Sequence, residues 1–490
     1  MLQRRFLKMP GDFWVMAALL TAGLALRFYH LGAPSLGDDE LTTAVRINHS
    51  FWETVVLLKA SSFPPLYYAF LHLWTRLFGT SEWALRFPSA LFSGLTIIVI
   101  YKLGKELFNK NAGLIAAALL AFSPFAVHYA QYAKMYASFW LLEALSFLFF
   151  FRFLRNQGKA PHRWYIATSI LCCYTMYSGF LFLAAQNIIF ILTGARRRPW
   201  FTGQLIILGF CIPWVVLFLC SPKETWGLIR PTAAFDYLHF ALSSFFFIIG
   251  SGLEIWTHEN WAQYSFHLGL WEINCFLYVF LLVFFLVDSP RRADDRAVFL
   301  WAAVALLAYF LFDYTCVHVY LEARYVGFLQ VPLILMISSR LGAVSGPLRS
   351  VMLAAMLMIA IFNIYLYFTG IARFPQQDWR STAKELMRAA GPNDLIVSYA
   401  DPQDFSYYYR GDTRRVINIR EGTNPAEFLA QNGLLKPRVH AVFLVYKNQM
   451  PDGIQPPSGI QLPPRIQLKG FFQDYKVSNG GNGFYHFKRL

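Results

Sequence analysis

The chain has 490 residues, is 56% hydrophobic and only 14% charged, and carries a formal net charge of +15. With a positive mean hydropathy, that composition excludes a soluble globular protein. The cations stand in short clusters between apolar runs, which also excludes the continuous basic face of a nucleic-acid binder.

A hydrocarbon core of roughly 30 Å needs about 20 apolar residues per helix, and such runs recur from residue 16 to residue 368. The first is too long, and too far from a small-residue cleavage site, to be a removable signal peptide. Clusters at Arg4, Arg5 and Lys8, at Lys102, Lys105 and Lys110, and at Arg152, Arg155, Lys159 and Arg163 mark cytoplasmic loops by the positive-inside rule. So do those at Arg196 to Arg198, at Arg291, Arg292 and Arg296, and at Arg340 and Arg349. With the amino terminus inside, spans are expected at 12–31, 84–103, 111–129, 136–153, 163–177, 178–195 and 201–220. They continue at 270–288, 297–313, 324–340 and 350–369, about eleven in all, with the tail outside.

Residues 64–79 are apolar but short, and they carry His72, Trp74 and Arg76. If they crossed the bilayer, Lys102 to Lys110 would face outward, so they read as an interfacial helix. Residues 32–83 then form one long outer loop of short amphipathic helices, 39–49 and 52–58 among them. Residues 221–269 form a second. The expected fold is a polytopic α-helical membrane domain over 1–370 followed by a small extracytoplasmic α/β domain over 371–490. In the tail, 382–390 reads as a helix started by Ser381, and 395–399 and 439–446 read as strands. Five of the six cysteines lie in or at the edges of apolar runs and none lies in the tail, so no disulfide framework is implied.

Asp39 and Glu40 follow directly on the first span. An acidic pair at a membrane surface is placed to take a proton from an alcohol while a lipid-borne partner stays in the bilayer. The triplet Asp38-Asp39-Glu40 is also an ordinary start for a helix. Further groups predicted on the outer side are His72, Arg86, Lys134 and Tyr136 in the turn 123–137, and Arg324 at the start of a span. Fixed cations there can neutralise a departing phosphate or anchor to headgroups. Glu143 falls inside a span, on the face of Tyr136 and about 10 Å deeper. It is either functional or held between helices. No histidine pair has the spacing of a helical zinc site. No metal and no cofactor are assigned, with a divalent cation left open. The run Tyr407 to Tyr409 in the tail suits either sugar stacking or a core.

Several segments in order resemble the family 39 glycosyltransferases of the C-type superfamily, which include protein O-mannosyltransferases and the aminoarabinose transferase of lipid A. They are Arg27 to Gly32 leading to Asp39-Glu40, Pro64-Pro65-Leu66-Tyr67-Tyr68, and the stretch 79–91 containing Glu82, Trp83 and Arg86. Ser123-Pro124-Phe125 running to Gln131 and Tyr136, Arg324-Tyr325 with Pro332, and Asp378-Trp379-Arg380 complete the set. The resemblance implies a polyprenyl-phosphate sugar donor, a catalytic aspartate at Asp39 with Glu40 as its acidic neighbour, and an outer soluble tail. Phe63 stands where the family has His, Tyr132 where it has Glu, and Lys134 where it has Arg. Lys134 keeps the charge without the bidentate fork.

The function expected is inverting transfer of a sugar from a polyprenyl phosphate to a hydroxyl of a glycan, lipid or protein acceptor, at a bacterial inner membrane. Asp39 and Glu40 are the catalytic candidates, and Arg86, Lys134, Tyr136, Arg324, Glu143 and His72 are the substrate-binding ones. The rivals are a non-catalytic lipid-linked glycan transporter or scaffold and a family member that has lost activity. Transporters often show two related halves, and no repeat links the early and late spans.

Overall fold

A computed structural model describes residues 11–59, 63–155, 158–193, 197–221, 292–312, 323–344, 346–369 and 378–398. In the tail it describes 407–411, 416–418, 428–429, 431–432, 434, 441–446, 471–479 and 482–489. The expected span 270–288 and nearly all of the second outer loop lie outside the described residues. Two compact units emerge. Unit one is Met1–Leu31, His49–Gly79 and Ala84–Ala372; unit two is Gly32–Asn48, Thr80–Trp83 and Arg373–Leu490. The second unit thus takes in two short stretches of the first loop together with the tail.

Unit one is helical. Its elements are α1 (Gly11–Phe28), α3 (Phe51–Leu58), α4 (Leu66–Phe78), α5 (Glu82–Leu107, entering from unit two), α6 (Lys110–Ala121), α7 (Pro124–Ala130), α8 (Tyr136–Leu154) and α9 (Lys159–Thr175). There follow α10 (Gly179–Thr193), α11 (Arg197–Leu219), α12 (Ala293–Phe312), 3-10 turns at Ala323–Tyr325 and Gly327–Leu329, α13 (Gln330–Ala343) and α14 (Gly346–Phe368). Among the described residues, five helices are long and apolar enough to cross a membrane, or six if α6 and α7 form one bent span.

That bend corrects the straight span expected at 111–129, because α6 and α7 meet at 56°. Pro124 has no N–H to give the Leu120 carbonyl, and a side chain from elsewhere takes over. Arg27 of α1, fully buried, donates from Nη2 to Leu120 O at 2.9 Å and from Nη1 to Ala121 O at 3.0 Å. Its Nε donates to Ser93 Oγ of α5 at 2.8 Å. Ser123 then starts α7, its Oγ accepting the Ala126 N–H at 3.2 Å. One guanidinium therefore joins three helices at the break.

Helix α4 is two-faced, as its helical spacing predicts. Tyr67, Tyr68, Leu71, His72 and Thr75 are buried, whereas Phe70, Leu73, Leu77 and Phe78 are exposed. An outward row of large apolar side chains suits a helix lying along a bilayer surface.

Unit two contains α2 (Asp38–Arg46), α15 (Trp379–Ala389) and five strands, β1 (Leu395–Ser398), β2 (Val416–Asn418), β3 (Ala441–Tyr446), β4 (Phe471–Asn479) and β5 (Asn482–Arg489). The sheet order is β2-β1-β3-β5-β4. β1 pairs in parallel with β2 and β3, while β5 runs antiparallel to β3 and β4. Helix α15 starts before the expected Ser381, because Asp378 is its cap and Asp378 Oδ1 accepts the Ser381 N–H at 3.0 Å. Trp379, Thr382, Ala383 and Leu386 form its buried face, and Ile396, Val397, Val442 and Phe443 are buried in the sheet.

Candidate active site

Asp39 and Glu40 both lie in the first turn of α2, but they are employed differently. The cap position is Gly37, which has no side chain to offer the helix start. Glu40, third in the helix, reaches back so that its Oε2 accepts the Gly37 N–H at 3.1 Å, the carboxylate half of a capping box. Glu40 is buried at 2% exposure. Asp39 is half-buried. Glu40 thus shapes the turn that carries Asp39.

The same unit clasps the chain just ahead of that turn. The Tyr408 hydroxyl accepts the Leu36 N–H at 2.9 Å and donates to Glu82 Oε1 at 3.0 Å. Arg380 pairs with Glu82 at 3.1 Å and also donates to the Ala33 carbonyl. Tyr407 donates to the Thr80 carbonyl at 2.9 Å. Burial pushes both tyrosine hydroxyls above their ordinary range, so they remain neutral donors at physiological pH. Tyr409 is buried. The tyrosine run, which the sequence left between sugar stacking and core, therefore supplies two clasps and one core residue. Asp378-Trp379-Arg380 divides in the same way into a cap, a core side chain and an ion pair.

Tyr408→Phe strands the Leu36 N–H and leaves Glu82 to Arg380 alone, a loss of about 1–3 kcal/mol. Hydrogen exchange of the amides from Leu36 to Leu41 is expected to rise at least about fivefold by that arithmetic, with α8 unchanged. Equal protection in variant and wild type would show that the clasp holds nothing.

In unit one the predicted cations have distinct surroundings. Lys134 is 1% exposed, and its Nζ lies 5.0 Å from the Phe63 ring centroid and 5.9 Å from that of Tyr68, within cation–π range. Its carbonyl accepts from Ser89 Oγ at 3.3 Å, and Ser89 shares a 3.2 Å hydrogen bond with the Tyr67 hydroxyl. α4, α5 and the loop before α8 are tied together there. Two of the three departures from the family pattern, Phe63 and Lys134, are thus in contact. The third, Tyr132, stacks on His128 at 6.1 Å and on Tyr136 at 6.5 Å. Tyr136 is itself buried.

Arg86 is 2% exposed, and its Nη1 donates to Leu31 O at 3.1 Å. Gln131 Nε2 donates to the carbonyls of Leu26, Arg27 and Tyr29 at 3.3, 3.2 and 2.7 Å. Arg86 and Gln131 together satisfy carbonyls at the end of α1 and just beyond it. From the sequence Gln131 entered only as part of a motif, with no role of its own, because an amide in an aromatic stretch does not announce its partners. His72 lies on the buried face of α4, edge-on to Phe51 at 5.8 Å.

Arg324 sits in a 3-10 turn with its guanidinium 5.4 Å from the Tyr325 ring. Three residues on, Gly327 packs so tightly that a Cβ there would lie 2.7 Å from Trp140 and 2.9 Å from Phe125. Gln330 donates to Ser123 Oγ at 2.9 Å. The turn is therefore docked at the end of α8 where Tyr136 and Lys134 lie. Glu143, two turns further along, is not brought to that end. It is fully buried and accepts from Trp301 Nε1 of α12 at 3.2 Å, and Trp301 stacks on Phe147 at 3.6 Å. Its place is between helices. Among the described residues, no three His, Cys, Asp or Glu side chains gather to hold a metal ion.

Residues 62–226 match the family model described as dolichyl-phosphate-mannose-protein mannosyltransferase. That segment includes Arg86, Lys134, Tyr136 and Glu143 and leaves Asp39 and Arg324 outside it. The whole chain is similar to the crystal structure of ArnT from Cupriavidus metallidurans bound to undecaprenyl phosphate. The two are 14% identical, covering 97% of this chain and 98% of that one, with a TM-score of 0.59. The chain shares the fold of that structure.

ArnT in the apo state matches with 13% identity, 96% and 97% coverage and a TM-score of 0.58. The Archaeoglobus fulgidus oligosaccharyltransferase in the apo form matches with 15% identity, 89% and 70% coverage and a TM-score of 0.52. A search of curated protein sequences finds no match. The match of residues 62–226 and the likeness in fold agree with the resemblance read from the ordered motifs, and the apolar helices are those of a membrane-type fold.

Proposed function

We propose that the chain transfers a sugar from a polyprenyl-phosphate donor to a hydroxyl acceptor on the extracytoplasmic side of a bacterial inner membrane. Asp39 takes the proton of the acceptor hydroxyl. The acceptor oxygen bonds to the anomeric carbon from the face opposite the phosphate, the bond from that carbon to the phosphate oxygen breaks, and the configuration inverts. Lys134, with Arg324 and Arg86, supplies the positive charge that receives the leaving phosphate. Glu40 is assigned to the helix start, and Glu143 to helix packing.

The observation that carries this reading is the likeness along nearly the whole chain to a fold solved with undecaprenyl phosphate bound. The buried ammonium of Lys134 supports it, because a charge out of water persists when its surroundings offer π faces or an anion. The test is a transfer assay in liposomes with polyprenyl phosphates carrying radiolabelled hexoses or pentoses, and with envelope lipids and glycans as acceptors. Label is expected to move to an acceptor as free polyprenyl phosphate appears. Movement of intact labelled lipid across the bilayer, with no transfer, would assign a transporter instead.

A further inference from the structure

Unit one carries a second charged feature at the opposite end of α8, about 28 Å from Tyr136 at the helical rise. A cavity of about 890 Å³ opens there, and its lining includes Arg155, Lys159, His162 and Arg163. Three helices begin at its wall. α9 starts at Lys159 after Gly158, a cap residue with φ +94° and no side chain. Pro199 in the first turn of α11 and Ala293 at the start of α12 also line it. Helix N-termini present N–H groups and the positive ends of their dipoles.

Asp294 is the one carboxylate in the lining among the described residues, and Arg155 already holds it at 2.9 Å. Lys159 and Arg163, both exposed, are left as surplus positive charge. His162 stacks on Phe153 at 4.7 Å, and its Nε2 is buried with no hydrogen-bond partner. Three helix starts and two surplus cations around one cavity call for an anion.

The surroundings select the kind of anion. Phe151, Ile189 and Ala297 make much of the wall apolar. Next in sequence to lining residues, Trp164 and Leu192 are exposed, as is Phe201 on the first turns of α11. Such side chains face hydrocarbon or its boundary, so an anion arriving beside them arrives on a lipid. Basic pockets between membrane helices at a cytoplasmic face bind anionic headgroups on the same physics, and the charge rule places this end in the cytoplasm. We propose that the cavity binds the phosphodiester headgroup of an anionic phospholipid, with its acyl chains along the exposed faces of α9, α10 and α11.

Native mass spectrometry of the full chain, released from phosphatidylcholine nanodiscs containing a minority of phosphatidylglycerol, tests this. Wild type is expected to keep one phosphatidylglycerol. The double variant Lys159→Gln/Arg163→Gln is expected to bind it at least about tenfold more weakly, given the usual contribution of each cation near a lipid surface. Lys102→Gln/Lys105→Gln removes the same charge from the same end, where Glu106 of α5 meets Arg152 and Arg155, yet outside the cavity. It is expected to stay within about twofold of wild type, since screened charges outside the pocket contribute little. Equal weakening in both doubles would mean diffuse attraction and overturn the proposal. Displacement of the lipid by inorganic phosphate would assign the cavity to the free anion and overturn it as well.

Discussion

Asp39→Asn is expected to slow sugar transfer by about 10²- to 10⁴-fold, the usual contribution of a positioned general base, while the protein folds in normal yield. Asparagine has nearly the same shape and is well tolerated at a helix start, so the variant removes basicity and little else. The informative contrast is Glu40→Gln. Its amide oxygen can still accept the Gly37 N–H that Glu40 accepts at 3.1 Å, because Gln serves in a capping box as Glu does. Turnover is therefore expected to fall less than about tenfold by loss of the charge-assisted bond. If Glu40→Gln were the inactive variant and Asp39→Asn the active one, the two roles would have to be exchanged.

Arg27→Leu is expected to have the largest effect on stability, about 3 kcal/mol, from about 1–3 kcal/mol for a buried acceptor left unsatisfied together with the charge-assisted bonds lost at its other partners. The substitution strands the Ala121 carbonyl and takes one partner each from the Leu120 carbonyl and Ser93 Oγ, which keep the Ser123 N–H and the Ala126 carbonyl, within helices that have no water to replace it. Arg27→Lys is expected to recover only part of the loss, since an ammonium cannot reproduce a planar fork that reaches three helices. Thermal unfolding in detergent, followed by size-exclusion chromatography, reads both. A melting curve for Arg27→Leu that overlays wild type would mean that the α6–α7 bend is held by other contacts.

The helices of unit one were legible because membrane-length apolar runs and charged breaks announce themselves locally. The bend between α6 and α7 was not, since its cause lies in a contact between residues 27 and 121, separated by 94 positions. The tail clasp was hidden in the same way, with Glu82 and Arg380 separated by 298 positions. Both ends of that ion pair were visible as motif residues, yet neither motif reveals its partner. The Asp38-Asp39-Glu40 triplet could be read as a base or as a cap, and the structure divides it, giving the cap to Glu40. Phe63 and Lys134 were separate departures from a family pattern in the sequence. In space they are one feature, an ammonium resting against an aromatic ring.

In the proposed reaction the Lys134 end of α8 receives a polyprenyl phosphate. Photocrosslinking with a polyprenyl phosphate that carries a reactive group beside the phosphate, mapped by peptide mass spectrometry, tests it most directly. Crosslinks are expected in the segments 63–72 and 129–140, and Lys134→Met is expected to remove most of them while Lys134→Arg retains them. Labelling confined to the opposite end of α8, near residues 151–163, or labelling indifferent to Lys134→Met, would contradict the account.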